Sequence, residues 1–218
     1  MNLNYNPENA VMDLPRRDSE DKLLGRTKYT IDSIPSDSLH AVLLRAEVAS
    51  GDLISIDTKK ASRMKGVKAI ATYDDAPGYH GLGIADTPVF AHENIKYHGE
   101  PIAAVAATTV EQARSAAKEI LVKIRPKKPI LTMSEALSDD AELIHPRWTD
   151  YEVLQDGAKR RDNIAWQATV SRGDTSEVFK RHDIKVVEGC YSVGRQSHVT
   201  FEPRAVVASY YDNRYHIM

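Results

Sequence analysis

The sequence predicts an α+β protein. Its first half contains two strand–helix–strand segments, whereas its second half contains several short strand-like runs and few helical residues. The chain has 218 residues, of which 42% are hydrophobic and 28% are charged. A chain of this size and composition can bury a substantial core without disulfides or metal ions.

The first strand–helix–strand segment begins with two predicted strands. Residues 39–45 form a short apolar run, and residues 53–58 alternate apolar and polar side chains. Residues 59–65 have room for about two helical turns, with Gly66 placed as the C′ residue that ends them. Residues 67–72 predict the next strand, so the segment is predicted to be a βαβ-like unit.

The second segment follows a glycine-rich stretch, residues 78–100, that predicts a long loop. Residues 101–108 predict a buried strand of small residues, and Thr108 with Glu111 three positions later predicts the capping box of a helix. The apolar stripe of that helix runs into a further predicted strand near residues 121–124.

Polar segments flank this region. Residues 1–23 are predicted to be an extended arm, and residues 136–162 a connector between domains.

The remaining sequence predicts strands at 163–170, 184–191 and 205–211, with a short helix at 175–180. The pair Asp212-Asn213 predicts a tight turn into a return strand. Because the chain ends inside that strand, we expect another polypeptide to complete the last core.

Composition argues against several classes of partner. The 29 basic and 31 acidic residues give a net charge of −2, too balanced to favour nucleic acid or an anionic membrane. The longest strongly apolar run, residues 102–107, is far shorter than the roughly 20 residues of a membrane span. The N-terminus lacks the features of a secretory signal, and the single cysteine, Cys190, suits a reducing compartment. We therefore expect a cytoplasmic protein.

The residue types give no clear metal or catalytic site. None of the eight histidines has a partner at the i, i+4 spacing of a metalloprotease, and a lone cysteine cannot form a cysteine pair for zinc. The most unusual segment is residues 194–204, between two predicted strands. It concentrates five polar side chains: Arg195, Gln196, His198, Glu202 and Arg204. A functional loop and a charged turn both fit this pattern.

Several motifs in this sequence resemble, in order, those of the xanthine dehydrogenase/aldehyde oxidase/carbon monoxide dehydrogenase large-subunit family. Residues 195–204 are similar to the family's RQxH and LEPR motifs, with Phe201 in the leucine position. Residues 96–105 are similar to its RYVGQPVAAV motif, with Lys96 and His98 in the arginine and valine positions. Further similar motifs are Gly25–Asp32, Leu39–Arg45, Ile54–Thr58 with Gly66-Val67 after Lys65, Pro88–Ala91, Gly173-Asp174 and Val187–Gly189.

The resemblance implies a hammerhead-like α/β domain over residues 24–135 and the first strands of an incomplete molybdopterin-binding domain over 163–218. It also implies hydroxylation of an aldehyde or N-heterocycle carbon at molybdenum, with oxygen from water and electrons leaving through iron–sulfur clusters and FAD. The family's pterin-side glutamine, Gly-Phe-Gly loop and glutamate base are expected beyond Met218. We therefore expect no catalytic, cofactor-binding or metal-binding residue, and no bound cofactor, on this chain alone.

Three functional hypotheses follow. In the first, the chain is a component of a molybdenum hydroxylase whose partners are the remaining molybdopterin-binding chain or domain and iron–sulfur and FAD subunits, or a second copy of itself. In the second, it is a non-catalytic binding or scaffold module. The third is a small enzyme that uses His198, Glu202 and Arg204. Under the first hypothesis the five-residue cluster is an interface or structural element, with an ion pair expected between Glu202 and Arg204.

Overall fold

The computed structural model describes residues 16–155, 161–167, 169–200, 202 and 204–218. These residues fall into two compact units. The larger comprises Leu39–Gly189, and the smaller joins the described residues up to Ser38 with Cys190–Met218.

The regular elements of the described residues are short. The strands are β1 (His40–Arg45), β2 (Gly51–Asp57), β3 (Val67–Ala71), β4 (Tyr79–His80), β5 (Thr87–Pro88), β6 (Asn94–Ile95), β7 (Pro101–Ala107), β8 (Leu121–Pro126), β9 (Ala208–Tyr211) and β10 (Arg214–Ile217). The α-helices are α1 (Ser19–Leu23), α2 (Lys59–Ser62), α3 (Val110–Ala117), α4 (Met133–Ala136) and α5 (Thr175–Phe179), with 3-10 turns at Thr30–Ser33 and Trp148–Asp150. These helices fall short of the length and hydrophobicity that crossing a bilayer requires.

The larger unit contains two three-stranded antiparallel sheets, ordered β1-β7-β3 and β6-β2-β8, and the short pair β4-β5. The individual strands β1, β2, β3, β7 and β8 confirm the sequence prediction. The predicted βαβ-like unit is wrong, because β2 and β3 belong to different sheets. A parallel crossover needs a dozen or more residues, and the short α2 connection cannot supply it.

Strand β7 and helix α3 form the centre of the first core. β7 lies between β1 and β3, and Ala103, Val105 and Ala107 are fully buried. Helix α3 presents Ala113 and Ala116, also fully buried, to this cluster. Small side chains on both elements allow the helix to approach the sheet closely. A second core cluster comprises Ala46, Ala91, Ile95 and Ile102, packed against partly buried side chains that include Leu53 and Ile124.

The start of helix α3 differs from its prediction by one residue. Thr109, not Thr108, is the N-cap: its Oγ1 accepts the backbone N–H of Gln112 at 3.2 Å. Thr108 is unavailable because its backbone N–H donates to the carbonyl of Gly66 at 3.0 Å and its hydroxyl is hydrogen-bonded to Gln112 Oε1. Gly66 is not the C′ residue of α2. It has φ +88°, and a side chain there would overlap the Gln112 amide.

We expect Thr109→Ala to lower the free energy of unfolding by about 1 kcal/mol, because the Gln112 N–H loses its cap. Thr108→Ala is the matched control and is expected to cost less. Urea denaturation followed by circular dichroism measures both. Equal losses for the two variants would contradict the assignment of Thr109 as the cap.

The predicted connector, residues 136–162, packs in its described part against the rest of the larger unit. Ala85 N–H donates to the Glu152 carbonyl at 2.9 Å, and Ile84 forms an antiparallel bridge with Val153. Asn163, just beyond, accepts the Ile144 N–H at 2.9 Å and donates to the Glu142 carbonyl at 3.1 Å. The proposed domain limits at residues 24, 136 and 163 stay predictions.

Two predicted strands of the second half are wrong. The described residues of 163–170 and all of 184–191 form no strand, with residue 168 outside the described part. Val170 and Val187 are 98% and 83% exposed. These two apolar side chains are therefore not packed against a core that would favour a strand. Helix α5, with Asp174 as its N-cap, confirms the predicted helix at 175–180.

In the smaller unit, β9 and β10 form an antiparallel hairpin in which Tyr210 is opposite Tyr215 and Ala208 is opposite Ile217. The predicted turn is confirmed: Asp212 and Asn213 have φ values of +51° and +59°, as a two-residue hairpin requires. The predicted extended arm is corrected at its end, where Ser19–Leu23 form helix α1; residues 1–15 lie outside the described part.

Candidate functional site

The five polar residues that the sequence singles out lie on a segment without regular secondary structure in the smaller unit. All five side chains are exposed: Arg195, Gln196, His198, Glu202 and Arg204. Phe201 and Pro203, which belong to the same motif, lie outside the described residues. The prediction that the cluster serves as an interface or structural element stays a prediction.

Glu202 contacts the N-terminal segment rather than Arg204. Its Oε1 accepts the backbone N–H of Thr30 at 3.5 Å, a long hydrogen bond, and its carbonyl accepts the Thr200 hydroxyl at 3.3 Å. The expected ion pair with Arg204 is wrong: among the described residues, the contacts of Glu202 are with Thr30 and Thr200. The physical reason is exposure, because solvated charges gain little from pairing.

A cavity of about 600 Å³ lies where these two distant segments meet; we name it the Glu202 cavity. Its lining is formed by Lys22, Gly25, Thr27, Tyr29, Asp32 and Glu202. Asp32 is held in place by the Tyr29 N–H, which donates to its Oδ2 at 3.0 Å, and Thr27 Oγ1 is buried without a hydrogen-bond partner among the described residues. The structure thus brings the motif of residues 25–32 to the motif of residues 195–204.

The larger unit contains a buried charged pair that sequence reasoning missed. Glu100 is 3% exposed, and its Oε2 accepts the backbone N–H of Lys96 at 2.6 Å. The Nζ of Lys96 lies 3.9 Å from Glu100 Oε1. Burial raises the pKa of Glu100 and lowers the pKa of Lys96. The available signal was two opposite charges four residues apart, directly before the apolar strand β7.

Near this pair, Asp52 joins two strands and a later segment by ion pairs. Its Oδ2 accepts from Arg125 at 2.7 Å, and its Oδ1 lies 3.0 Å from Lys127, which also binds Glu142 at 2.7 Å. Hydrogen bonds from Arg125 and Lys127 lower the pKa of Asp52. Over the described ranges, no group of three or more His, Cys, Asp and Glu side chains has a metal-binding arrangement.

Comparisons with known proteins agree with this architecture. Residues 24–128 match the family described as aldehyde oxidase and xanthine dehydrogenase, a/b hammerhead domain, and residues 156–218 match the molybdopterin cofactor-binding domain. The nicotinate dehydrogenase large molybdopterin subunit of Eubacterium barkeri is 33% identical over 90% of this chain and 43% of its own length. A probable xanthine dehydrogenase subunit of Bacillus subtilis (strain 168) is 33% identical over 88% of this chain and 24% of its own length.

Among solved structures, the aldehyde oxidoreductase of Desulfovibrio gigas is 28% identical, with a TM-score of 0.54 over 61% of this chain and 16% of that protein. Fold and matches together define a hammerhead-like α/β domain followed by the first strands of a molybdopterin-binding domain. The chain belongs to the large-subunit family of xanthine dehydrogenase, aldehyde oxidase and carbon monoxide dehydrogenase. It spans less than half the length of these curated relatives.

The described residues of 161–218 do not fit a molybdopterin group. Such a group needs several convergent donors in an enclosed site. Here Arg195, Gln196, His198 and Arg204 are exposed on an irregular segment, and the regular elements are only α5 and the β9-β10 hairpin. No step of cofactor chemistry is therefore assigned to residues of this chain.

Proposed function

We propose that this chain is a component of a molybdenum hydroxylase large subunit and is catalytically inactive without the remaining molybdopterin-binding polypeptide. In the assembled enzyme, the molybdenum cofactor would hydroxylate a substrate carbon with oxygen from water, and iron–sulfur and FAD partners would accept the electrons. The match to the molybdopterin cofactor-binding domain and the likeness to two large-subunit relatives support this proposal. We also propose a cytoplasmic location, supported by the single free and exposed cysteine, Cys190.

The observation that carries the proposal is the exposure of the β9-β10 hairpin. Alternation along the strands places Ala208, Tyr210, Tyr215 and Ile217 on one face. The two tyrosines are 59% and 77% exposed, and Ile217 is 73% exposed. An isolated two-stranded hairpin is marginally stable in water and gains stability from further strands or a packed layer. This face suits coverage by the remaining molybdopterin-binding polypeptide.

The test is co-expression of this chain with the remaining large-subunit polypeptide and the iron–sulfur and FAD subunits. The wild-type chain is expected to co-purify with its partners and with molybdenum, measured by elemental analysis. Ile217→Asp places a charge on the apolar face and is expected to lower co-purified molybdenum about tenfold or more, while the free energy of unfolding of the chain alone changes by about 0.5 kcal/mol or less.

Ser209→Asp is the matched control, because it adds the same charge to the opposite face of the same hairpin. It is expected to keep wild-type assembly. A wild-type chain that purifies as a metal-free monomer or homo-oligomer despite co-expression would favour the scaffold hypothesis. Equal molybdenum content in the two aspartate variants would contradict docking through the apolar face.

A further inference from the structure

Exposed apolar side chains are also concentrated in residues 184–193, just before the motif of residues 195–204; we name these residues the 184–193 segment. All of its residues are described, and none of them belongs to a helix or a strand. Residues 184–189 end the larger unit, and residues 190–193 begin the second part of the smaller unit. Val187, Tyr191 and Val193 are 83%, 91% and 84% exposed, so these large apolar side chains have no cover within the chain.

The sequence of the 184–193 segment alternates as a half-covered strand does. In an extended strand, successive side chains point to opposite faces of the sheet. One face would carry Val187, Tyr191 and Val193, and the other would carry Glu188 and Ser192. No residue of the segment has a positive φ, so its backbone can become a strand without steric strain.

The backbone of the 184–193 segment has free hydrogen-bonding capacity. Among the described residues, those of the segment form no backbone–backbone hydrogen bond with one another or with any other element. An extended chain with unpaired N–H and C=O groups can add to the open edge of a sheet, and its alternate side chains then contact the layer beneath. The partner that fits is therefore a sheet with an open edge and an apolar layer.

The match to the molybdopterin cofactor-binding domain favours one source for that sheet. The match covers residues 156–218, which include both the 184–193 segment and the β9-β10 hairpin. The apolar face of the hairpin is the docking surface under the proposed function, and the exposed apolar side chains of the segment need the same kind of cover. A single partner with an apolar layer can therefore serve both.

We propose that the 184–193 segment folds, on assembly, into a strand at the sheet edge of the remaining molybdopterin-binding polypeptide, with Val187, Tyr191 and Val193 packed against it. A segment of this kind is ordered only when the partner supplies the missing hydrogen bonds and apolar contacts. This role rests on the proposed function, and it adds the segment and the backbone pairing by which the partner is bound.

Amide hydrogen exchange followed by mass spectrometry measures this transition in the complete chain, both alone and in the co-expressed complex. Because strand amides are hydrogen-bonded, those of the 184–193 segment are expected to exchange about a hundredfold or more slowly in the complex than in the chain alone. Protection of these amides already present in the chain alone, as pairing with a second copy would give, would overturn the proposal.

Two lysine variants test which face of the strand is covered. Val193→Lys places a charge on the apolar face, and Ser192→Lys is the matched control that adds the same charge to the opposite face. Both side chains are exposed in the isolated chain, so neither variant is expected to change its urea denaturation midpoint. Val193→Lys is expected to lower the amount of co-purified partner about tenfold or more, and Ser192→Lys to retain wild-type amounts. Equal amounts for the two variants would overturn the proposal.

Failure of the strand and failure of the proposed function give different results. A wild-type complex that contains molybdenum, but in which the amides of the 184–193 segment exchange as fast as in the chain alone, would overturn the strand and leave the proposed function standing. Absence of any complex after co-expression would overturn both.

Discussion

Glu100→Ala is expected to lower the free energy of unfolding by about 3–5 kcal/mol, because it leaves one member of a buried charged pair without its partner. Glu100 is 3% exposed, and it accepts the Lys96 N–H and lies near its ammonium. Removing the carboxylate leaves a buried donor and a largely buried cation unsatisfied. Chemical denaturation monitored by circular dichroism measures the loss.

Glu100→Gln is the matched control, since it keeps the shape of the side chain and an oxygen that can accept the Lys96 N–H. We expect it to be less destabilising than Glu100→Ala. A loss of less than about 1 kcal/mol for the alanine variant, of the size typical for exposed pairs, would mean that Glu100 is not buried as described.

The same pair predicts a pH dependence. Burial raises the pKa of Glu100 above its ordinary value of 4.5, so the folded state retains a proton that the unfolded state releases. Stability from this group is therefore fully present below pH 4.5 and declines as pH rises through the raised pKa. The free energy of unfolding of the wild type, relative to Glu100→Gln, should fall over that window. A difference that rises with pH would contradict the direction of the shift.

Local patterns predicted individual strands better than their arrangement. β7 was predictable because a run of small apolar residues can pack on both faces wherever it lies. The separation of β2 from β3 was not, because each strand takes its hydrogen-bond partners from distant sequence: β2 pairs with β8, and β3 pairs with β7. The false strands at 163–170 and 184–191 have the same cause, because an apolar run forms a strand only beside a partner.

The candidate sites, too, were only partly predictable from local sequence. The polar cluster of residues 195–204 was recognisable from its motif, but the approach of Glu202 to Thr30 joins positions that are 172 residues apart. Nothing local indicates such a contact. Burial of Lys96 and Glu100 was also hidden, because charged residues next to a glycine usually indicate an exposed turn. Their burial depends on the strands and loops that surround β6 and β7.

The second large effect is expected at Ile102, which is 1% exposed in the core cluster with Ala46, Ala91 and Ile95. Ile102→Ala removes buried methyl groups and leaves a cavity, so it should lower the free energy of unfolding by about 2–5 kcal/mol. Ile217→Ala deletes the same atoms on the hairpin, where the side chain is 73% exposed. We expect about 0.5 kcal/mol or less from that change in the isolated chain.

The two isoleucine variants delete the same atoms at sites of different burial. Urea denaturation of both variants therefore measures how the loss in the free energy of unfolding depends on burial. In the assembled enzyme, the difference between the effects of the two variants should become smaller. A partner that covers the hairpin would bury Ile217, so its truncation would weaken association. A loss of about 2 kcal/mol or more for Ile217→Ala in the isolated chain would mean that its face is already packed, which would contradict the exposed hairpin. An unchanged affinity between the Ile217→Ala chain and the remaining large-subunit polypeptide would show instead that the partner docks elsewhere.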